Sequence, residues 1–304
     1  MSGRTIPKPI SLEEAKELIN ELENLDLDSV SIDQIKNKLT PLFVGYFLAT
    51  TLFETGQILF RGRIMKEKPT NIASLTYPPK EEVKDNRANR TGDPVFYCSN
   101  FRNVIFFELK PNIGDYVVLS EWSTTKKLLV NNIGYTRENF NRLGSNRSHP
   151  QFNAKSEPEQ TENNILIKDF FSRTFSKVID DPKQYKLSAA IAEKHIYGDM
   201  IEGLIYPTIP MKANGDNFAL KPTFVNKFLK LVGVEYIRID KFTDFKYDIT
   251  VVNTAVKFED TGKIIWNNRP WRYVIKENYG ALSFFGEHGR WIAKDENCKV
   301  VHPQ

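Results

Sequence analysis

A chain of 304 residues with 40% hydrophobic and 12% aromatic content is long and apolar enough to bury a full core, as one large domain with additions or as two modest ones. Its 42 basic and 38 acidic residues leave a formal net charge of +4 and a pI near 8.8, but they are spread along the chain without the dense basic stripe of a nucleic-acid binder. Its two cysteines, Cys98 and Cys298, lie far apart with no metal-ligand neighbours, which argues against a disulfide framework or a zinc site and for a reducing compartment.

The opening, Met1 to Pro9, has no apolar core of a leader, and the longest apolar stretch, Leu42 to Phe53, is broken by polar residues and too short to span a bilayer. The expectation is a soluble cytoplasmic protein without a membrane partner. Ser11 followed by Glu14 forms a capping-box pattern, and Leu12, Ala15, Leu18, Ile19 and Leu22 then recur at helical spacing, predicting a helix over about 11–24. A second helix starts near Ser31 with Ile32, Ile35 and Leu39. Pro41 is expected to end or kink it before an apolar helix from Leu42 to about Phe53. Residues 1–55 thus read as a helical extension.

After Gly56 the texture changes to short strand-like runs at Ile58–Arg63, Val95–Ser99, Asp115–Trp122 and Gly203–Tyr206, separated by Pro, Gly, Asn and Asp clusters. Helical patterns fall at about 101–109, 163–178 and 184–198. The polar segment Asn141–Asn164 has few apolar anchors and reads as a mobile loop. A helix from Pro222 to Leu231 leads into strands at Val234–Ile239, Tyr247–Lys257 and Lys263–Trp266, with Glu259-Asp260-Thr261-Gly262 closing a hairpin. The fold class expected is α+β: a mixed α/β core over about 56–240, with a β-rich segment at 241–304.

Chemistry-bearing residues concentrate between Leu59 and Glu108. Arg61 and Arg63 alternate on a predicted strand, so both side chains point to one face. Two guanidinium forks suit a pyrophosphate; solvated edge residues, or ion pairs with Glu67, Glu81 and Glu82, are the plainer reading. Glu108 ends the apolar run Val104-Ile105-Phe106-Phe107. Burial there would raise its pKa unless Arg61, Arg63 or Arg87 lies close; the plainer reading is a surface Glu on an amphipathic helix. Tyr97 suits either a ring stacked on nicotinamide or adenine, or a half-buried core position. The four histidines, His149, His195, His288 and His302, show no spacing for a metal or a nucleophile–base pair. No phosphate-cradling glycine loop, nucleophile elbow or dinucleotide fingerprint is present.

Taken in order, these blocks resemble the RES-domain family, named for its arginine, glutamate and serine. Phe60-Arg61 matches the first block. Arg87-Ala88-Asn89 with Gly92, continuing into Pro94-Val95-Phe96-Tyr97, matches the second. Glu108 is the glutamate, and Tyr206-Pro207-Thr208 with Asn217-Phe218-Ala219-Leu220 matches the last. The chain departs from the pattern at Ala88, where the family has tryptophan, and at Thr208, where it has serine. The resemblance spans about Ile58 to Leu231.

The resemblance implies a fold like that of ADP-ribosyltransferases and a toxin of a toxin–antitoxin pair that degrades NAD, as a glycosidase-type hydrolase or a phosphorylase. It also implies catalytic Glu108, Arg61 and Thr208, with Arg87, Tyr97, Arg63 and Asn217 binding the substrate. NAD would be the substrate, with no true cofactor and no metal, and a neutralising antitoxin and a homo-oligomer are the partners to look for. Two alternatives share the donor residues: a mono-ADP-ribosyltransferase acting on a protein, and a silent NAD-binding or interaction module.

Overall fold

In a computed structural model the chain is a mixed α/β protein with a large, mostly antiparallel sheet and several helices. The structure describes residues 8–149 and 161–267, and the backbone alone of four further strands between 271 and 301. The elements run α1 (Leu12–Glu23), α2 (Ile32–Phe43), β1 (Thr50–Phe53), β2 (Ile58–Ile64), β3 (Phe96–Ser99), α3 (Arg102–Leu109), β4 (Tyr116–Thr124) and β5 (Leu128–Asn132). They continue through α4 (Arg137–Arg142), α5 (Glu162–Phe175), α6 (Tyr185–His195), β6 (Gly203–Pro207), β7 (Asp216–Leu220) and α7 (Pro222–Phe228). Then come β8 (Leu229–Thr243), β9 (Lys246–Phe258), β10 (Ile264–Asn267), β11 (Trp271–Lys276), β12 (Ser283–Glu287), β13 (Arg290–Lys294) and β14 (Val300–Val301). Residue 240, where the core was expected to end, falls inside β8.

The capping box expected at Ser11 forms, its hydroxyl accepting from Glu14 N–H while the Glu14 carboxylate accepts from Ser11 N–H, and the structure adds a second one, between Ser31 and Gln34, at the start of α2. The expected helix over Leu42–Phe53 does not form. α2 carries Pro41 inside its last turn and continues only to Phe43, and Gly45 then takes a left-handed φ of +77° against the Pro9 ring. Glycine in that conformation ends a helix, and the β-branched pair Thr50-Thr51 beyond it extends as β1. Of the segment expected to be a mobile loop, Asn141 and Arg142 close α4, Thr161 caps α5, and Glu162 to Asn164 open that helix. Residues 150–160 of that segment lie outside the described residues.

The chain divides into two compact units, each discontinuous in sequence. The first takes Met1–Thr51, Pro79–Val95 and Leu129–Ile209. In it α1 packs on α5 and α2 on α6, and β5 pairs in parallel with β6 from Val130↔Gly203 to Asn132↔Ile205. Arg90 ties the helices together: it grips Asp33 of α2 at 2.8 and 2.9 Å and Glu193 of α6 at 2.5 and 2.7 Å. His195 is fully buried among Phe43, Tyr46 and Phe171, with Nδ1 2.8 Å from the Ile191 carbonyl. Burial pushes its pKa down to about 4, so it is neutral at physiological pH.

The second unit takes Leu52–Pro78, Phe96–Leu128 and Pro210–Gln304. Its strands pair antiparallel in the order β7-β3-β2-β4-β8-β9, with β10 and β11 both on β9. The turn at Glu259–Gly262 closes the β9–β10 hairpin through Gly262 N–H to the Glu259 carbonyl at 2.8 Å. α3 lies against this sheet, and Val104, Ile105, Phe106 and Phe107 join Phe60, Val117, Leu119, Ile237 and Ile239 in one core. Every residue of α3 up to Phe107 is buried, including its first, Arg102. The close fit depends on Gly62 of β2: a Cβ there would stand 2.1 Å from Cγ2 of Ile105 and 2.9 Å from Cδ1 of Leu109.

Candidate functional site

Four of the expected site residues, together with Arg63, belong to the second unit, around the point where β2 and β3 part. These two strands pair only at Phe60↔Ser99. Just past that point Arg61 reaches across, donating from Nη1 to the Tyr97 carbonyl at 2.7 Å and lying over the Phe96 ring at 5.1 Å. Its Nε is buried and meets no acceptor among the described residues. Desolvation, helped by the positive charge of Arg63, lowers its pKa to about 10, which still leaves it cationic at neutral pH. Arg63 is anchored elsewhere, donating to the Ser74 carbonyl at 2.8 Å, and so braces the 3-10 turn Ile72–Leu75.

Glu108 is exposed, the first side chain of α3 to face solvent. The buried position considered for it is therefore not the one observed. The helix ends just beyond, at Lys110, in a left-handed conformation of φ +48°. Asn217 of β7 donates from Nδ2 to Oε1 of Glu108 at 2.6 Å, which fixes the direction in which the carboxylate points. Asn217 is itself held by its surroundings. The preceding residue, Asp216, is clasped reciprocally by Asn100, whose Oδ1 accepts from Asp216 N–H at 2.9 Å and whose Nδ2 donates to the Asp216 carboxylate at 2.9 Å. The Ser99 hydroxyl adds a 2.7 Å bond to the Asp216 carbonyl. Tyr97, half-buried, sits two residues before Ser99 on β3 and pairs with Ala219 of β7.

Arg87 and Thr208 belong to the first unit. Arg87 works there as a helix cap, donating to the carbonyl of Phe175, the last residue of α5, and to that of Lys177 at 3.1 Å. Its guanidinium also lies 5.8 Å from the centre of the Tyr185 ring. Thr208, directly after β6, is fully buried, and Ala88 is buried as well.

The sequence did not single out a second set of charged residues in the second unit. Arg102 at the start of α3, Glu121 on β4 and Glu235 on β8 are respectively 5%, 8% and 3% exposed. Arg102 forms an ion pair with Glu235, and both carboxylates act electrostatically on it. The available signal was a carboxylate at an otherwise apolar strand position, which Glu121 and Glu235 share.

Among the described residues there is no group of three His, Cys, Asp or Glu side chains placed to hold a metal, and no helix is long and apolar enough to cross a membrane. His288, His302 and Cys298 lie outside the described residues. Cys98 is buried beside Arg61, and desolvation holds its thiol protonated. No protein-family model matches the chain, and no curated protein matches it.

Proposed function

We propose that this chain is an NAD-consuming enzyme of the RES kind, which breaks the bond between nicotinamide and ribose. The observation that carries the reading is the Glu108–Asn217 hydrogen bond at 2.6 Å: one exposed carboxylate, at the end of an otherwise buried helix, is oriented by an amide from a separate strand. Both residues come from blocks of the family resemblance. Cleavage leaves oxocarbenium-like positive charge on the ribose, and a fixed carboxylate stabilises that charge more in the transition state than in the ground state.

In this reading water adds to the ribose carbon as the nicotinamide nitrogen keeps the bonding electrons, giving ADP-ribose, nicotinamide and a proton. Inorganic phosphate in place of water gives the 1″-phosphorylated product. Arg61, cationic and with a buried Nε–H that meets no acceptor among the described residues, would supply a donor for a phosphate oxygen. Tyr97 and Asn217 would line the nicotinamide end. Such an activity depletes the cell that makes it, so the reading includes a cytoplasmic toxin restrained by a neutralising protein.

The test incubates purified protein with NAD, with and without phosphate, and follows nicotinamide release and product mass. Glu108→Gln keeps shape and hydrogen-bonding capacity but removes the charge, and it should slow release about 10²–10³-fold. Label from NAD retained on a protein band would replace hydrolysis with ADP-ribosyl transfer. Absence of nicotinamide release under every condition would refute the reading.

A further inference from the structure

The buried trio Arg102, Glu121 and Glu235 has a charge imbalance. With all three ionised, the core beneath α3 would hold two negative charges against one positive. Burying even a matched ion pair is expensive, and an unmatched buried charge is more so, which favours binding a proton instead. The geometry brings the two carboxylates to one place. On the β4–β8 ladder Glu235 stands opposite Leu119, and Glu121 stands two residues further along, opposite Gly233, so the two are diagonal neighbours on one face. The ladder register shifts between Glu121 and Trp122, and α3 brings Arg102 into an ion pair with Glu235 and within electrostatic reach of Glu121. From β2, the cross-strand partner of Glu121 is Phe60, which carries no charge.

We infer that Arg102, Glu235 and Glu121 form a buried clamp holding α3 on the sheet with one retained proton on the carboxylate pair, and that Glu121 is thereby a positioning residue for Glu108 at the far end of the same helix. The positioning part rests on the reading of Glu108 as the reactive carboxylate; the clamp and its proton do not. When the proton leaves, the repulsion between Glu121 and Glu235 and the cost of a second desolvated charge are relieved by water entering beneath α3, which loosens the helix on the sheet. Desolvation first, then the negative charge of Glu235, raises the Glu121 carboxyl to about 8 against the pull of Arg102. The native state therefore holds this proton over a range where the unfolded chain has released it. The sign follows: the stability contributed is complete below the ordinary carboxylate range and is lost as pH rises towards 8.

The experiment is thermal unfolding of the full chain and of Glu121→Gln, which mimics the protonated acid, from about pH 5 to pH 9. The melting temperature of Glu121→Gln should gain on that of the parent as pH rises to about 8 and run parallel above it. An offset that does not change with pH overturns the shared proton. If Glu121→Gln does not fold, carboxyl carbon NMR of the parent decides: a Glu121 midpoint near 8 supports the clamp, and one in the ordinary carboxylate range overturns it. For the positioning role, exchange protection of the α3 amides, corrected for intrinsic rate, should fall above pH 8 in the parent and hold in Glu121→Gln. Nicotinamide release should show the same alkaline loss in kcat, with KM unchanged, in the parent alone. Protection that is independent of pH in both proteins overturns positioning. A parent that releases no nicotinamide defeats the RES reading alone, while melting and exchange still decide the clamp.

Discussion

Gly62→Ala is the sharpest test of how the sheet positions the helix that carries Glu108. A methyl at residue 62 would lie 2.1 Å from Cγ2 of Ile105 and 2.9 Å from Cδ1 of Leu109. The Leu109 methyl ends a flexible chain and can turn away, but Cγ2 of Ile105 sits directly on a β-branched carbon with a restricted rotamer. Overpacking of this kind costs about 1–3 kcal/mol, and the stiffer unfolded chain of alanine returns about 0.4–1 kcal/mol. The net expectation is a loss of about 1–1.5 kcal/mol, with α3 displaced from β2. Ile105→Leu removes the clashing methyl at nearly constant volume and should cost less than about 1.5 kcal/mol alone. In the double variant the Gly62→Ala loss should shrink, giving a favourable coupling of about 1 kcal/mol in urea unfolding. Because α3 carries Glu108, nicotinamide release should fall in Gly62→Ala and recover in the double variant. A Gly62→Ala protein as stable as the parent, or a double variant that is strictly additive, would refute the close approach of β2 and α3.

Asn217→Leu removes the amide that orients Glu108 while leaving that carboxylate in water; kcat should fall about tenfold or more, with stability changed by no more than about 1 kcal/mol, and an unchanged kcat would show that the bond has no catalytic role. The neutral His195 in its aromatic cage, with its pKa lowered from 6.5 to about 4, makes the native state bind fewer protons than the unfolded one between those values. Stability should fall on acidification across that window by up to about 3 kcal/mol, and His195→Phe should flatten the slope in a pH series of urea melts. Arg87→Met removes the cap at the end of α5 and should destabilise the protein by about 1–2 kcal/mol in urea unfolding; a loss of NAD affinity without loss of stability would assign Arg87 to the substrate instead.

Local signals in the sequence were read well because local physics decides them. The capping box at Ser11, the helix start near Ser31, the alternation in β2 and the turn before Gly262 each depend on residues within a few positions of one another. The expected helix over Leu42–Phe53 failed where two local signals competed. Apolar composition favoured helix, but Gly45, closely packed against Pro9, stopped it, and the Pro9 contact is invisible to a local reading. Glu108 was legible because it ends an apolar run. Its exposure was not, since the same run fits a surface position and a buried one equally well.

The clamp shows a different limit. Arg102, Glu121 and Glu235 were each inside a predicted element, yet nothing in their spacing links them. Strand periodicity places a residue on a face but says nothing about which distant strand lies beside it, and the β4–β8 register that sets Glu121 diagonal to Glu235 is a tertiary fact. A carboxylate within an apolar strand is nonetheless a readable anomaly, because an unpaired buried charge is too costly to leave uncompensated. Two such anomalies on separate strands each call for a partner, and only the fold shows that the partner is shared. Helix α3 joins this hidden group to the legible one: Arg102 at its first residue is paired with Glu235 of β8 and feels the charge of Glu121 on β4, and Glu108 near its last is held by an amide from β7. On the proposed clamp, the direction of the exposed carboxylate depends on buried charges at the other end of the same two-turn helix. A substitution at Glu235, far from any motif, should accordingly disturb Glu108 more than the removal of a nearby surface charge.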